Sequence, residues 1–485
     1  MQIDFLTNKP EIAGEMAEVF RLFFGEIAIR VNPTDSDDRE KRLVLQQHIN
    51  AGREGWHFAL ELNEKRDEKD YPFLHGEEDK ELLYKRYQKR YAKQQLYEVL
   101  KAFTGKVLPW GSLTGIRPTR LVYEEMKQGL SVGKAVDIVA ETFDLSTEKK
   151  SLLQEVVAFQ LTMVAPKNNQ VSIYVGIPFC TTRCSYCSFS SGEIGKGELV
   201  EPYLQALQQE IKETATLIQQ AGLTVRSMYM GGGTPTALSA FQLEQVLSTM
   251  HRYFGKTMEL TVEAGRPDTI DKEKLSVLKD QEVDRISINP QTMNEKTLAL
   301  IGRNHSAKET IVAFELARSM GFDHINMDVI AGLPQENIQD FSFTLEQSLL
   351  LQPESLTVHS LALKRGTTLW NERKEMRQGQ EVAMMTKLAR EYCQRAKLLP
   401  YYLYRQKYMA ENQENVGYAK KGYGCQYNVD MMEETSHVLA LGAGGISKRI
   451  FEREDRIQRA PNVSNIEHYI HRIDEMIERK KILWK

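Results

Sequence analysis

Residues Val171-Ser172-Ile173-Tyr174-Val175-Gly176-Ile177-Pro178-Phe179-Cys180-Thr181-Thr182-Arg183-Cys184-Ser185-Tyr186-Cys187 join an apolar, strand-like run to a loop with three cysteines in eight residues. The chain holds five cysteines in 485 residues, the others being Cys393 and Cys425. An odd number without a secretion pattern is a poor disulfide framework, and a tight cluster reads better as metal binding. The spacing is Cys-x3-Cys-x2-Cys. Structural zinc takes four ligands, usually as two close pairs, yet residues 188–200 add no Cys or His and the next histidine is His251. A cubane iron–sulfur cluster normally takes four thiolates. Three thiolates on one loop leave one iron open, as a catalytic metal keeps a position for its substrate. We therefore read the loop as the holder of a [4Fe-4S] cluster, with zinc through remote ligands or unrelated thiols as the lesser alternatives.

Outward from this loop, strand-like runs recur at 226–232, 258–264, 285–289, 324–332 and 355–363. Helical patterns separate them, such as 201–220 closed by Gly222 and 306–320 closed by Gly321. Six strands alternating with helices predict a parallel sheet built from right-handed crossovers, with its chemistry at the carboxyl ends of the strands. The unusual residues fall there. Gly231-Gly232-Gly233-Thr234-Pro235-Thr236 follows the second strand and would let backbone approach a ligand closely. Glu263 ends the third strand, Gln291 follows the fourth with Arg303 beyond it, and Asp328 sits in the fifth. Polar groups in such places often only satisfy neighbouring backbone. Left unpaired in an apolar strand they cost several kcal/mol, so each needs a partner. Glu can accept from an ammonium, Arg can pair a carboxylate, and Asp can bind ribose hydroxyls.

The cysteine spacing, with Tyr186 before its last Cys, resembles the radical S-adenosylmethionine (SAM) superfamily, and GGGTPT matches that superfamily's site for the aminoacyl part of SAM. The resemblance implies an α/β fold, a partial parallel (β/α)6 radical SAM barrel. It implies one [4Fe-4S] cluster on Cys180, Cys184 and Cys187, with SAM on the open iron. An electron from the cluster splits SAM, and the resulting 5′-deoxyadenosyl radical takes a substrate hydrogen; the protein supplies orientation and a dry site.

A narrower resemblance rests on YVGIPFC-x3-C-x2-C, GGGTPT, the Gln291-to-Arg303 spacing, NMDVIAGLP and the ending GYGCQYNVDMMEETSHVLALGAGGISK. Together these look like the oxygen-independent coproporphyrinogen III oxidase (coproporphyrinogen dehydrogenase) group, over residues 170–450. Residues 1–165, with LTGIRPTR, look like the longer variant found in Gram-positive bacteria. Carried over by position, Tyr174 lies beside the cluster, and Gly232, Gly233, Thr234, Glu263, Gln291, Arg303, Asp328 and Ile330 line the SAM site, with Tyr186 among the cofactor residues. No catalytic residue beyond these ligands is implied. Such enzymes decarboxylate two propionates of coproporphyrinogen III to vinyls, giving protoporphyrinogen IX in haem biosynthesis. They use an electron donor such as flavodoxin or ferredoxin and an electron acceptor, and the resemblance suggests a second SAM. A tetracarboxylate substrate calls for cations at the barrel mouth, with Arg183 and Arg405 as candidates. The better-known oxidases have His at the position of Gly176 and a fourth Cys at that of Phe189. The related haem-chaperone branch carries Phe at the latter, so a haem-binding chaperone of the same fold is the alternative.

Three regions are expected: an N-terminal α+β domain at 1–165, the barrel core at 166–375, and a mainly helical C-terminal region at 376–485 that covers the substrate. In the first, PEIAGEMAEVFRLFF reads as an amphipathic helix and IAIRV and WHFALEL as strands. A helical pattern at 80–104 carries Tyr84, Tyr87 and Tyr91 at 3–4 spacing, and from Tyr84 to Lys106 seven Lys/Arg face one Glu. A solvated helix face is the plain reading; a surface for an anionic ligand or a partner is the sharper one, and an RNA contact there would make an RNA-modifying radical enzyme. The formal net charge of −3 disfavours nucleic acid and membrane surfaces. No apolar run approaches the roughly 20 residues that span a bilayer. The acidic N-terminus lacks a leader pattern, so a cytoplasmic location is expected.

Overall fold

The computed structural model describes residues 2–25, 27–34, 43–63, 65–73, 81–362, 367–369, 379–406, 413–451 and 456–485. They form two compact units, Met1–Gln154 and Glu155–Lys485, where the sequence suggests three regions.

In the first unit β1 (Gln2–Thr7), β2 (Ala28–Val31), β3 (Leu43–Ala51), β4 (Gly55–Leu62) and β5 (Lys65–Pro72) make a sheet in the order β2-β1-β3-β4-β5. Alternate residues of β4, namely Trp56, Phe58, Leu60 and Leu62, are buried, the period-2 pattern of a one-sided sheet. They share a core with α1 (Ala13–Phe24) and α2 (Glu81–Thr104), whose Tyr84, Tyr87 and Tyr91 pack against it. The basic side of α2 is answered within the unit: Lys89 pairs Glu15, Lys101 pairs Asp144, and Arg86 lies 3.9 Å from Glu124. The structure thus favours the solvated, locally paired face. α3 (Pro118–Met126) starts inside LTGIRPTR, with Pro118 at its first turn, and α4 (Val132–Phe143) follows. Helix α5 (Thr147–Gln160) runs across the division between units, so the break falls before the expected 165/166. The boundary expected at 375/376 lies outside the described residues.

The second unit opens with β6 (Gln170–Ile177). Two short strands, β7 (Phe179–Cys180) and β8 (Gly192–Glu193), pair in parallel and bracket the cysteine loop. Then β9 (Thr224–Gly232), β10 (Leu260–Glu263), β11 (Arg285–Ser287), β12 (Ile325–Ala331) and β13 (Ser355–Ser360) follow. Between them run α6 (Val200–Gln220), α7 (Ala240–Phe254), α8 (Lys272–Asp280), α9 (Glu295–Leu300), α10 (Ala307–Ser319) and α11 (Ile338–Leu350). Capping boxes at Ser239, Ser306 and Asn337 fix the starts of α7, α10 and α11. β6 and β9 to β13 are the six strands read from the sequence; they pair in parallel and in chain order, the partial (β/α)6 barrel expected.

The C-terminal region is mainly helical but adds strands that the sequence reading does not name. β14 (Leu399–Tyr404) and β15 (Asn415–Ala419) extend the sheet antiparallel beyond β13. β16 (His437–Leu441) pairs in parallel with β6, with β17 (Ile446–Phe451) and β18 (Arg456–Pro461) outside it. The sheet therefore has eleven strands, and residues after 379 complete it from both edges. The glycine patch after β16 serves this junction. A Cβ on Gly442 would meet the Gly176 carbonyl oxygen at 2.4 Å, and the Gly442 N–H donates to Glu210 Oε2 at 2.7 Å. Buried Glu210 also accepts from Tyr469 (2.6 Å), Asn462 (2.8 Å) and Lys480 (2.5 Å), tying the helix Ile473–Trp484 to α6.

Candidate functional site

A cavity of about 530 Å³ lies inside the barrel. Cys180, Cys184, Cys187, Tyr174, Tyr186, Gly232, Gly233, Thr234, Glu263, Gln291, Arg303, Asp328 and Ile330 all line it. Residues spread over more than 150 positions meet here because each sits at or near the carboxyl end of a parallel strand.

The cysteine loop is anchored on several sides. Ser185 N–H donates to the Ile301 carbonyl and Leu369 N–H to the Ser185 carbonyl, both at 3.0 Å, while Ile194 N–H donates to the Cys180 carbonyl at 2.8 Å. The Thr234 hydroxyl lies 3.6 Å from Cys180 Sγ. Burial pushes the Cys187 thiol up, with the Phe189 backbone N–H working against it. Among the described residues, no three Cys, His, Asp or Glu side chains converge as a single-ion site requires. Zinc draws its thiolates to about 2.3 Å from one point, whereas each thiolate of a cubane takes its own iron. Three half-buried thiols around one cavity suit the second arrangement.

The glycine loop packs against the cysteine loop. Gly233 N–H donates to the Ile177 carbonyl and Thr234 N–H to the Phe179 carbonyl, both at 2.7 Å. A Cβ on Gly233 would lie 2.6 Å from the Phe179 carbonyl oxygen, and one on Gly231 would lie 2.8 Å from the Glu263 carboxylate. The sequence suggests glycines for approach to a ligand; in the structure they also let two loops and a carboxylate close on one another.

The polar residues of the barrel wall form two groups. Tyr229 donates its hydroxyl to Glu263 Oε1 at 2.6 Å. Burial pushes the Glu263 carboxyl up to about 7, against that hydrogen bond and with the help of the neighbouring Asp328 charge. Burial would raise Asp328 as well, but His359 holds it below the usual carboxylate value, aided by Asn326 and Thr357. Asn326 Nδ2 lies 2.7 Å from Asp328 Oδ1, and His359 Nε2 lies 3.8 Å from Oδ2. His359 Nδ1 lies 3.4 Å from the Tyr404 hydroxyl.

Among the described residues, Gln291 and Arg303 carry buried polar atoms without a hydrogen-bond partner. Gln291, at φ 65°, is locked to β12 by its N–H to Asp328 O and by Ile330 N–H to its own carbonyl, both at 2.9 Å. Its buried Oε1 has no partner, and neither do Nε and Nη1 of Arg303. Arg303 Nη2 donates to the Tyr186 hydroxyl at 3.1 Å, and the guanidinium stays protonated despite its burial, with Tyr186 and Cys184 beside it. A left-handed non-glycine residue and orphaned buried donors are strain and desolvation that a bound ligand would relieve.

Arg183 lines the cavity and is exposed. Arg405 does not serve as a mouth cation. It is 2% exposed, and its neighbours Tyr404 and Gln406 line the cavity while it does not. One part of the expected substrate cover, Tyr423–Glu433, closes the opposite end of the barrel instead. Glu259 accepts from the N–H groups of Gln426 (3.0 Å) and Tyr427 (3.2 Å), Asp430 pairs Arg226 at 2.7 Å, and the Tyr423 carbonyl accepts from Arg285 at 3.1 Å. Arg226, Glu259 and Arg285 stand at the amino ends of β9, β10 and β11, so Tyr427, Asn428, Met431 and Met432 form the cavity floor. Sequence reasoning leaves His359 unassigned and omits Tyr229 and Arg266, although all three line the cavity. The signal was available for His359: a polar residue at an alternate position in the buried run of β13.

Comparison with known proteins agrees with this architecture. The family model of the radical SAM superfamily matches residues 174–347. The chain is 38% identical to the oxygen-independent coproporphyrinogen-III oxidase-like protein HemZ of Bacillus subtilis, over 79% of this chain and 78% of that protein. It is 36% identical to the heme chaperone HemW of the same organism, over 41% of this chain and 52% of the chaperone. The solved structure of coproporphyrinogen III oxidase HemN from Escherichia coli, a radical SAM enzyme, superposes with a TM-score of 0.53 and 22% identity, covering 66% of this chain and 73% of that one. The last likeness shows a shared fold.

Proposed function

The chain belongs to the radical SAM superfamily, in its oxygen-independent coproporphyrinogen III oxidase-like family, and from that premise we propose that it oxidatively decarboxylates two propionates of coproporphyrinogen III to vinyls. The observation that carries the reading is one cavity shared by three thiols, a strained Gln291 and the orphaned donors of Arg303. The superfamily implies a [4Fe-4S] cluster and SAM, and the residues present fit both. Cys180, Cys184 and Cys187 would hold the cluster. Arg303 has two free donors for a carboxylate, Gln291 an acceptor, Glu263 a carboxylate for an ammonium, and Asp328 an oxygen beyond the one Asn326 takes. When bound, the pair supplies a radical that removes hydrogen from the propionate carbon next to the ring, with carbon dioxide and one electron leaving afterwards. The walls Tyr186, Ile330 and Leu361 exclude water. Met431 and Met432 give the floor a soft apolar surface suited to a flat macrocycle. A flavodoxin or ferredoxin would deliver the electron, and a separate acceptor would remove it.

Anaerobic reconstitution with iron and sulfide, followed by incubation with SAM and coproporphyrinogen III, tests the proposal. Protoporphyrinogen IX should accumulate with carbon dioxide. Unchanged tetracarboxylate from protein that still cleaves SAM would reject this substrate. The likeness to a heme chaperone, with Phe189 68% exposed beside the cysteine loop, favours haem delivery as the second reading. Stoichiometric haem binding and transfer to an apo-protein, without porphyrin turnover, would establish it instead.

A further inference from the structure

Each thiol of the cysteine loop faces a different donor. The Thr234 hydroxyl lies 3.6 Å from Cys180 Sγ, Arg266 Nη1 lies 3.9 Å from Cys184 Sγ, and the Phe189 N–H is directed at Cys187. Arg266 is the charged member of this set, and it is held rigidly. Its side chain is 4% exposed. Nε and Nη2 bind the two oxygens of Asp268 at 3.1 and 3.2 Å, and Nη1 also donates to the Thr182 carbonyl at 3.0 Å. Asp268 in turn accepts the Thr181 hydroxyl at 3.1 Å. Burial would raise the Asp268 carboxyl, but His305, Arg266 and Thr181 keep it well below the usual range, so it stays ionised and holds the guanidinium in place. The edge of Arg266 that carries Nη1 is thereby left to the cysteine loop.

We propose that Arg266, through its buried N–H group directed at Cys184, sets the reduction potential of the cluster. The inference rests on the reading that these cysteines ligate one. Hydrogen bonds to ligand sulfur and net local charge tune cluster potentials. Reduction adds negative charge to cluster and thiolates, and a guanidinium in a low-dielectric site stabilises the reduced form more than the oxidised one. Arg266 therefore raises the potential and makes the cluster easier to load with an electron. Asp268 limits the effect, because its carboxylate offsets part of the charge while fixing its direction. Arg266 acts through Cys184 and is a positioning residue.

The test is an anaerobic redox titration of reconstituted full-length protein, read by electron paramagnetic resonance, in wild type, Arg266→Gln, Arg266→Lys, Asp268→Asn and Thr234→Val. Iron and sulfide are counted first. Wild-type protein that binds no cluster would overturn the cluster reading itself. With the cluster present, Arg266→Gln should lower the midpoint so that the reduced-to-oxidised ratio at a fixed potential falls about tenfold, equivalent to about 59 mV for one electron. Thr234→Val, which removes an uncharged donor, should move it less. Should Arg266→Gln not assemble, Arg266→Lys and Asp268→Asn carry the test. Lysine retains charge without the fork and should lie below wild type; unmasking the guanidinium in Asp268→Asn should raise the midpoint. Midpoints unchanged in every variant that holds a full cluster would overturn the proposal.

Discussion

Burial inside the barrel pushes the Glu263 carboxyl up to about 7, the Asp328 charge adding to it and the hydrogen bonds from the Tyr229 hydroxyl and the Gly232 backbone opposing it. On the proposed reading it must be ionised to accept a ligand ammonium. SAM affinity should therefore rise with pH through about 7, falling up to about tenfold for each unit below it, since one unit is about 1.4 kcal/mol. Isothermal titration at pH 6 and 8 checks this, and Glu263→Gln should flatten the profile. The same shift acts on stability. The folded value exceeds the ordinary glutamate value of 4.5, so the folded state binds more protons between 4.5 and about 7. Without cofactor, stability should fall as pH rises through that window, and denaturant midpoints of wild type against Glu263→Gln would show it. The neighbouring glycines should behave differently from each other. A Cβ on Gly231 meets the tip of the Glu263 side chain, which can swing, whereas one on Gly233 meets the backbone of Phe179. Gly233→Ala should cost about 1–3 kcal/mol and reduce iron content, while Gly231→Ala should mainly weaken SAM binding. Sequence alone marked Glu263 and the glycines as site residues. It did not reveal their contact, which depends on how β9 and β10 come together.

At the scale of elements, the floor helix Gln426–Glu433 is held by buried charge. Arg226 and Asp430 are each 1% exposed and lie 2.7 Å apart. Asp430→Ala would leave the guanidinium uncompensated and should cost about 3–5 kcal/mol in chemical denaturation, with the cysteines untouched. The six barrel strands were legible because apolar runs, turn residues and helical patterns alternate at the right lengths. β14 and β15 were not. Their residues are buried almost throughout, so LPYYLY and NVGYA show neither a period of 2 nor one of 3.6, and the pairing of β15 with β13 and of β14 with β15 is set by tertiary contact. The helical floor sits at the amino ends of the strands for a similar reason: Glu259, Arg226 and Arg285 meet it only after the barrel curls.

Over the whole molecule, each unit has its own core. That of the first unit runs from Ile3 to Leu100 and its packed neighbours. A fragment beginning at Ser146, just before α5, should fold and take up iron and sulfide at the cysteine loop. Circular dichroism and iron content would check it, and a fragment that is unfolded or iron-free would show that the second unit depends on the first. What the sequence by itself determined was the chemistry carried at short range: the spacing of Cys180, Cys184 and Cys187, the strand–helix alternation, and the polar residues at strand ends. Spacing along a chain is preserved whatever the fold, and periodicity follows from the geometry of a single strand or helix. Tertiary structure alone decided that Arg266 stands beside Cys184, 82 residues away, that Arg405 is turned from the cavity, and that burial pushes the Glu263 carboxyl up to about 7. Those properties depend on burial and long-range distance, which do not exist until the sheet has closed around its cavity.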